Sequence, residues 1–209
     1  YTYRNPEPFR DVDPQTFQDA TDWIIRSLGG QVLRIGHPGM RPFRTQPGFI
    51  DLASFGDTDF KLQLYAISRA RFVLASASGP GICGSCFGTP TGMCNDPVDH
   101  GVWNKQDAKM SNHIIAPDNR RISHELAVSR EMYFTSAFKH LQKSGFRIAF
   151  QSTEEVKRLS NLMYDRTTDT PRWRDHWYTR EQKKRPNEAP LPTDPIHRET
   201  FVDFPDLAP

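Results

Sequence analysis

"RFVLASASGPGICGSCFGTPTGMC", residues 71–94, decides how the chain is read. Its opening Arg71-Phe72-Val73-Leu74-Ala75 is a short apolar run of the kind that forms a buried strand. The run breaks at Ser76-Ala77-Ser78-Gly79, and a helix is expected to start near Gly79. Thr91-Gly92-Met93-Cys94 then reads as a further strand, ending at Asn95-Asp96-Pro97. Strand, glycine turn, helix and strand in this order form the repeating unit of an α/β sheet.

Three chemistries compete inside that stretch. The turn Ser78-Gly79-Pro80-Gly81 stands where a strand's carboxyl end meets a helix N-terminus. There, free N–H groups and the helix dipole favour an anion such as a phosphate. Ser78 adds a hydroxyl, and Gly79 lets a diphosphate approach the backbone. The same residues also suit a plain N-cap with glycines for close helix–strand packing. Cys83 and Cys86 are spaced as a redox dithiol. With Cys94 and His100 they supply four soft ligands for zinc, at a spacing that matches no common finger. Against both, cysteine packs well as a small apolar residue. The pair is therefore read as core packing from the inner face of the helix, joined by Cys94.

Outward from this stretch the alternation continues. Asp13 suits an N-cap and Pro14 a first helical turn; Phe17, Ala20, Ile24 and Leu28 follow at helical spacing, and Gly29-Gly30 ends the helix. Val32-Leu33-Arg34-Ile35 and Phe49-Ile50-Asp51-Leu52 read as short strands on either side of a Pro-, Gly- and Arg-rich loop. Asp57-Thr58 is read as the cap of a helix with Phe60, Leu64 and Ile67 on one face. Residues 99–119 are polar and give no clear element. A long helix is expected over 122–141, a short extended segment over 147–150, and a helix behind the capping box Ser152-Thr-Glu-Glu155. The pattern predicts a Rossmann-like parallel sheet with helices on both faces over residues 1–165. Residues 166–209 are expected to form an extended, Pro-rich tail that is basic and aromatic.

Composition narrows the class. Of 209 residues, 36% are hydrophobic and 25% charged, enough for a core, and a net charge of +2 gives no case for nucleic acid. Three cysteines do not make a disulfide-stapled secreted domain, so a reducing, cytoplasmic setting is expected. The chain starts at Tyr1 and is read as part of a longer polypeptide.

Several stretches, taken in order, resemble the glycosyltransferases of bacterial surface-carbohydrate clusters. These are Tyr3-Arg4-Asn5, Val32-Leu33-Arg34-Ile35-Gly36, Phe49-Ile50-Asp51-Leu52, Asp59-Phe60-Lys61-Leu62, Arg71-Phe72-Val73-Leu74 with Ser78-Gly79-Pro80, Phe87-Gly88-Thr89-Pro90, and Gln151-Ser152-Thr153-Glu154-Glu155-Val156. The resemblance implies the nucleotide-sugar-binding half of a GT-B-like enzyme of cell-surface polysaccharide biosynthesis. It places Ser78, Gly79, Pro80 and Gly81 at the donor diphosphate, and Arg34 with the loop from His37 near the donor. Arg4 is a second candidate cation, because a guanidinium grips phosphate in bidentate fashion. His37 is a candidate hydrogen-bond donor or base. Asp51 and Asn95 are candidates for sugar or ribose hydroxyls, with cap and turn roles as their plain alternatives.

On this reading the substrate is a nucleotide sugar, the acceptor is a carbohydrate or lipid-linked, and neither cofactor nor metal is required. An N-terminal half or partner domain is expected to complete the enzyme. The tail stretch "RWRDHWYTREQKKR", residues 172–185, is read as cover for the domain or its partner. Contact with an anionic surface, the inner membrane at its periphery or a nucleic acid, is the less favoured reading of that stretch. The rival function is a noncatalytic binding module built on a cysteine-based zinc or redox site.

Overall fold

The computed structural model describes residues 12–55, 60–96, 106–130, 132 and 140–168. Asp13 begins it as expected: its carboxylate accepts from the Gln15 N–H, and a 3-10 turn over Pro14–Phe17 runs into α1, Gln18–Leu28. Gly29 ends α1 in the left-handed region at φ 62°, where a side chain would be strained. β1 (Val32–Arg34) pairs in parallel with β2 (Phe49–Asp51), setting Leu33 opposite Ile50 and Arg34 opposite Asp51. A 3-10 turn at Leu52–Ser54 and helix α2 (Phe60–Arg69) follow. Asp57 and Thr58, the expected cap of α2, lie outside the described residues.

Next come β3 (Val73–Ser76), α3 (Gly79–Phe87), β4 (Thr91–Asp96), β5 (Ala108–Ser111) and β6 (His113–Ile115). Then follow α4 (His124–Ser129), β7 (Arg147–Ala149) and α5 (Thr153–Arg166). β3, β4 and β5 form a parallel sheet in that order, whereas β6 and β7 are antiparallel. The chain is thus mixed α/β with small parallel sheets, and the β6–β7 pair departs from the all-parallel expectation.

Strand alternation sorts the side chains of the β3–β5 sheet between two helical layers. Leu74, Cys94, Ala108 and Met110 join Val156, Leu159 and Met163 of α5 and Ala20 of α1 in the main core. A Cβ added to Gly92 would stand 2.9 Å from both Leu74 and Met163, so α5 lies close over β4. α3 covers the opposite face. A Cβ on Gly81 would stand 2.9 Å from the Ala75 Cβ, and one on Gly84 would overlap Thr91 Oγ1. Arg71 fastens the start of β3 to the end of α5: it donates to the Tyr164 carbonyl and to the Thr167 and Thr168 hydroxyls, with its guanidinium 3.9 Å above the Tyr164 ring.

Other expectations change. The cysteines do not form the inner face of α3; Gly81, Gly84 and Ser85 do, while Cys83 is half-buried and Cys86 exposed. Backbone and sheet approach too closely there for a larger side chain. The polar segment that gave no clear element holds two wholly buried strands, β5 and β6. The helix expected over 122–141 is preceded by strand-like pairing, the Ile122 N–H donating to Ile114 O at 2.8 Å, and α4 ends at Ser129 with Arg130 as its C-cap. Residues 133–139 and the tail from 169 lie outside the described residues.

Candidate functional site

Ser78 and Gly79 form the corner between β3 and α3. Ser78 occupies the N-cap position in extended conformation, yet its side chain makes no capping bond. Gly81 N–H and Ile82 N–H both donate to the Ser78 carbonyl, at 3.1 and 3.3 Å, and Pro80 has no N–H. Among the described residues, the Gly79 N–H and the Ser78 hydroxyl are donors left without a partner at the corner. Gly79 is exposed, and a Cβ there would meet nothing within 4 Å. Of the four residues expected to face an anion, two keep a donor at the corner. Gly81 is a packing residue against Ala75, and Pro80 fixes the first turn.

At the ends of β1 and β2, Arg34 Nη1 stands 3.0 Å from Asp51 Oδ2, and the guanidinium lies 5.0 Å from the Phe43 ring centroid. Asp51 also accepts from the Ala53 N–H at 3.1 Å, so it caps the 3-10 turn as well as holding Arg34. Arg34 is more than nine-tenths buried, and its Nη2 has no hydrogen-bond partner among the described residues. Gly36 is fixed beside it by reciprocal bonds with the Gln63 side chain, at 3.0 and 3.2 Å. His37 is exposed, and its Nδ1 accepts from the Gly39 N–H at 3.0 Å. The neutral ring then carries its proton on Nε2, which makes His37 a hydrogen-bond donor rather than a base at that atom. Arg4 lies outside the described residues.

No known protein family, curated protein or solved structure matches this chain. Its chemistry has to be read from its own side chains.

The end of β4 is unlike what sequence reasoning expected. Asn95 is fully buried and left-handed at φ 52°. Its backbone N–H donates to Gln151 Oε1, its Oδ1 accepts from the Gln151 N–H at 2.6 Å, and Gln151 Nε2 reaches Ser111 O. Asn95 therefore spends its side chain holding the backbone. Between Met93 and Asp96 the register against β5 slips, with three steps on β4 facing two on β5. Such a bulge re-aims the residue that follows it. Here it brings Asp96 to Lys109, at 3.1 Å, in a pair that is almost wholly buried.

A second buried pair stands nearby in sequence: His113 Nε2 lies 2.9 Å from Glu155 Oε1. Glu155 Oε2 accepts from the Ser152 N–H and hydroxyl at 2.8 and 3.0 Å, completing the expected capping box. Burial pushes the Glu155 carboxyl up, but the His113 ring at Oε1 and the hydrogen bonds from Ser152 outweigh it and leave it below the ordinary range. A third buried acid, Asp107, accepts from Ser85 Oγ at 2.9 Å and from Thr91 N at 2.8 Å, tying α3 to β4. Glu155 was expected as a capping-box acid and Asp96 as a turn residue, but their buried partners His113 and Lys109, and Asp107 itself, were not singled out from sequence. The one available signal was the alternation of Ala108 and Met110, which marked a buried strand inside a polar segment.

The zinc grouping does not assemble. Cys94 lies in the α5-side core, fully buried, with its thiol pushed up to about 12 mainly by that burial. Cys83 and Cys86 ride on α3, across the sheet. His100 lies outside the described residues, among which no group of three or more His, Cys, Asp and Glu is placed to hold a metal. Among the described residues no helix is long and apolar enough to cross a membrane.

Proposed function

We propose that this chain is the donor-binding part of a glycosyltransferase, Rossmann-like in fold, acting on a nucleotide-diphosphate sugar. The observation that carries the reading is the Ser78–Gly79 corner: a hydroxyl and an N–H without partners among the described residues, beside open space, where β3 runs into α3. Ligands of open α/β sheets bind outside the carboxyl ends of the strands, and a diphosphate suits a helix N-terminus. Arg34 would supply charge through Nη2 alone, since Asp51 and Phe43 hold the rest of the guanidinium.

In the proposed reaction, the bond between the anomeric carbon and the diphosphate oxygen breaks as the acceptor hydroxyl attacks. Negative charge grows on the departing diphosphate. Fixed donors at the corner stabilise that charge more as it develops, which lowers the barrier rather than only tightening binding. The acceptor, a carbohydrate or a lipid-linked glycan, and the base that activates it belong to a second half or partner domain. Placement at a cytoplasmic membrane face fits such an acceptor.

Thermal unfolding with added nucleoside diphosphates tests the reading. Binding to the folded state raises Tm by mass action, with about 2.7 kcal/mol gained at a hundredfold excess over Kd. Gly79→Asp separates binding from folding, because an acid at a helix start is favourable to the helix while repelling a diphosphate. We expect the variant to keep its unliganded Tm and lose the shift. A shift that survives Gly79→Asp, or no shift with any nucleoside diphosphate, sinks the proposal.

A further inference from the structure

We propose that Cys83 and Cys86 form a reversible dithiol–disulfide site on α3, oxidised by small-molecule disulfides, whose closure pulls on the Ser85–Asp107 anchor. The inference is independent of donor binding. Both thiols are free, one half-buried and one exposed, three residues apart on a single helix. Helical rise and radius put their Cα atoms about 5 Å apart, inside the range that a disulfide spans. Cys83 stands near enough to Cys86 to help, after burial, to push the Cys86 thiol up.

The exchange is balanced by two thiolate attacks. The exposed Cys86 thiolate attacks the S–S bond of glutathione disulfide, forming a mixed disulfide and releasing one glutathione thiolate. The Cys83 thiolate then attacks the Cys86 sulfur, forming the Cys83–Cys86 bond and expelling the second glutathione. Two electrons pass to glutathione, and the two cysteine protons end on the released thiols. Burial and the neighbouring Cys83 both raise the Cys86 thiol, so the exchange quickens as pH rises.

Closure has a mechanical consequence. Residues one helical turn apart hold their Cβ atoms about 5–6 Å apart, and a disulfide needs about 3.5–4.5 Å. The turn through Gly84 and Ser85 must tighten. Gly84 has no room to move inward against Thr91, and the Ser85 hydroxyl is bonded to buried Asp107, which also holds the Thr91 N–H. The strain therefore falls on the link between α3 and β4.

The test treats the native full chain with glutathione disulfide, quenches with acid, alkylates, and reads intact mass and peptide maps. The expected product has lost two hydrogens, carries a Cys83–Cys86 cross-link, and leaves Cys94 open to alkylation only after denaturation. Cys83→Ser should stop at a glutathione adduct on Cys86. The cross-linked protein should melt below the reduced one, by less in Ser85→Ala, which already lacks the anchor. A wild-type protein that stops at the adduct, a cross-link to Cys94, or an unchanged melting temperature after cross-linking overturns the proposal.

Discussion

β1 and β2 differ from β4 and β5 in where they put polarity. In the first pair Leu33 and Ile50, register partners on one face, are 44% and 39% exposed, and Arg34 and Asp51 pair at the strand ends. In the second pair every residue is buried, and the end of β4 holds Asp96 against Lys109 of β5 inside the protein. The thin pair keeps greasy side chains outside; the thick pair keeps charge inside. Burial of a side chain here follows from the layers stacked on its strand, not from its own hydrophobicity. α5 and α3 sandwich β4, so whatever β4 and β5 carry is sealed in.

The largest test of that contrast is Lys109→Met. It removes the cation beside a carboxylate with no exposed surface, a change that costs about 3–5 kcal/mol. Urea unfolding should show it as a lower midpoint with an unchanged slope. The double variant Asp96→Leu with Lys109→Met should recover most of the loss, because a well-packed apolar pair often replaces a buried ion pair at little cost. A single variant as stable as wild type would mean that water reaches Asp96, and the two strand pairs would no longer differ in kind.

The α3 segment was legible because its signals are local. An apolar run, an extended Ser, a Pro at the second helical position and a left-handed Gly88 each act within a few residues. Ser152 and Glu155 were readable as a capping box for the same reason. His113, the other partner of Glu155, was not, since it sits on a different element far along the chain. Asn95 and Gln151 are separated by 56 residues, and neither looks unusual in its own surroundings. That distant clamp grips Asn95 inside the bulge that re-aims Asp96. The cysteines misled for a different reason: apolar character suggested burial, but close helix–sheet approach favours residues with no side chain, and the glycines took the inner face.

Acid should expose a smaller effect on the buried side. Glu155 is held below its ordinary range in the folded chain, against about 4.3 when unfolded. A depressed carboxyl contributes stability that is present above the unfolded value and is lost as pH falls through the folded one. Wild type should therefore lose stability below about pH 4.3 more steeply than Glu155→Gln. At neutral pH the variant should be weaker by about 1.5–3 kcal/mol, the usual worth of hydrogen bonds to a charged group. Parallel acid limbs in the two proteins would show that the His113–Glu155 contact does not favour the ionised carboxyl.

The smallest effect belongs to the thin pair. Leu33→Thr and Ile50→Thr replace exposed apolar side chains by a polar residue that strands accept well. Substitutions at such positions stay within about 0.5 kcal/mol, so both unfolding midpoints should stay close to wild type. The same register position in the thick pair cannot behave this way, since Gly92 opposite Ala108 leaves no space between Leu74 and α5. A loss above about 1.5 kcal/mol at Leu33 or Ile50 would match burial of a full aliphatic side chain. The outer face of β1 and β2 would then be covered in solution, and the contrast between the two strand pairs would rest on what covers each pair rather than on an open face.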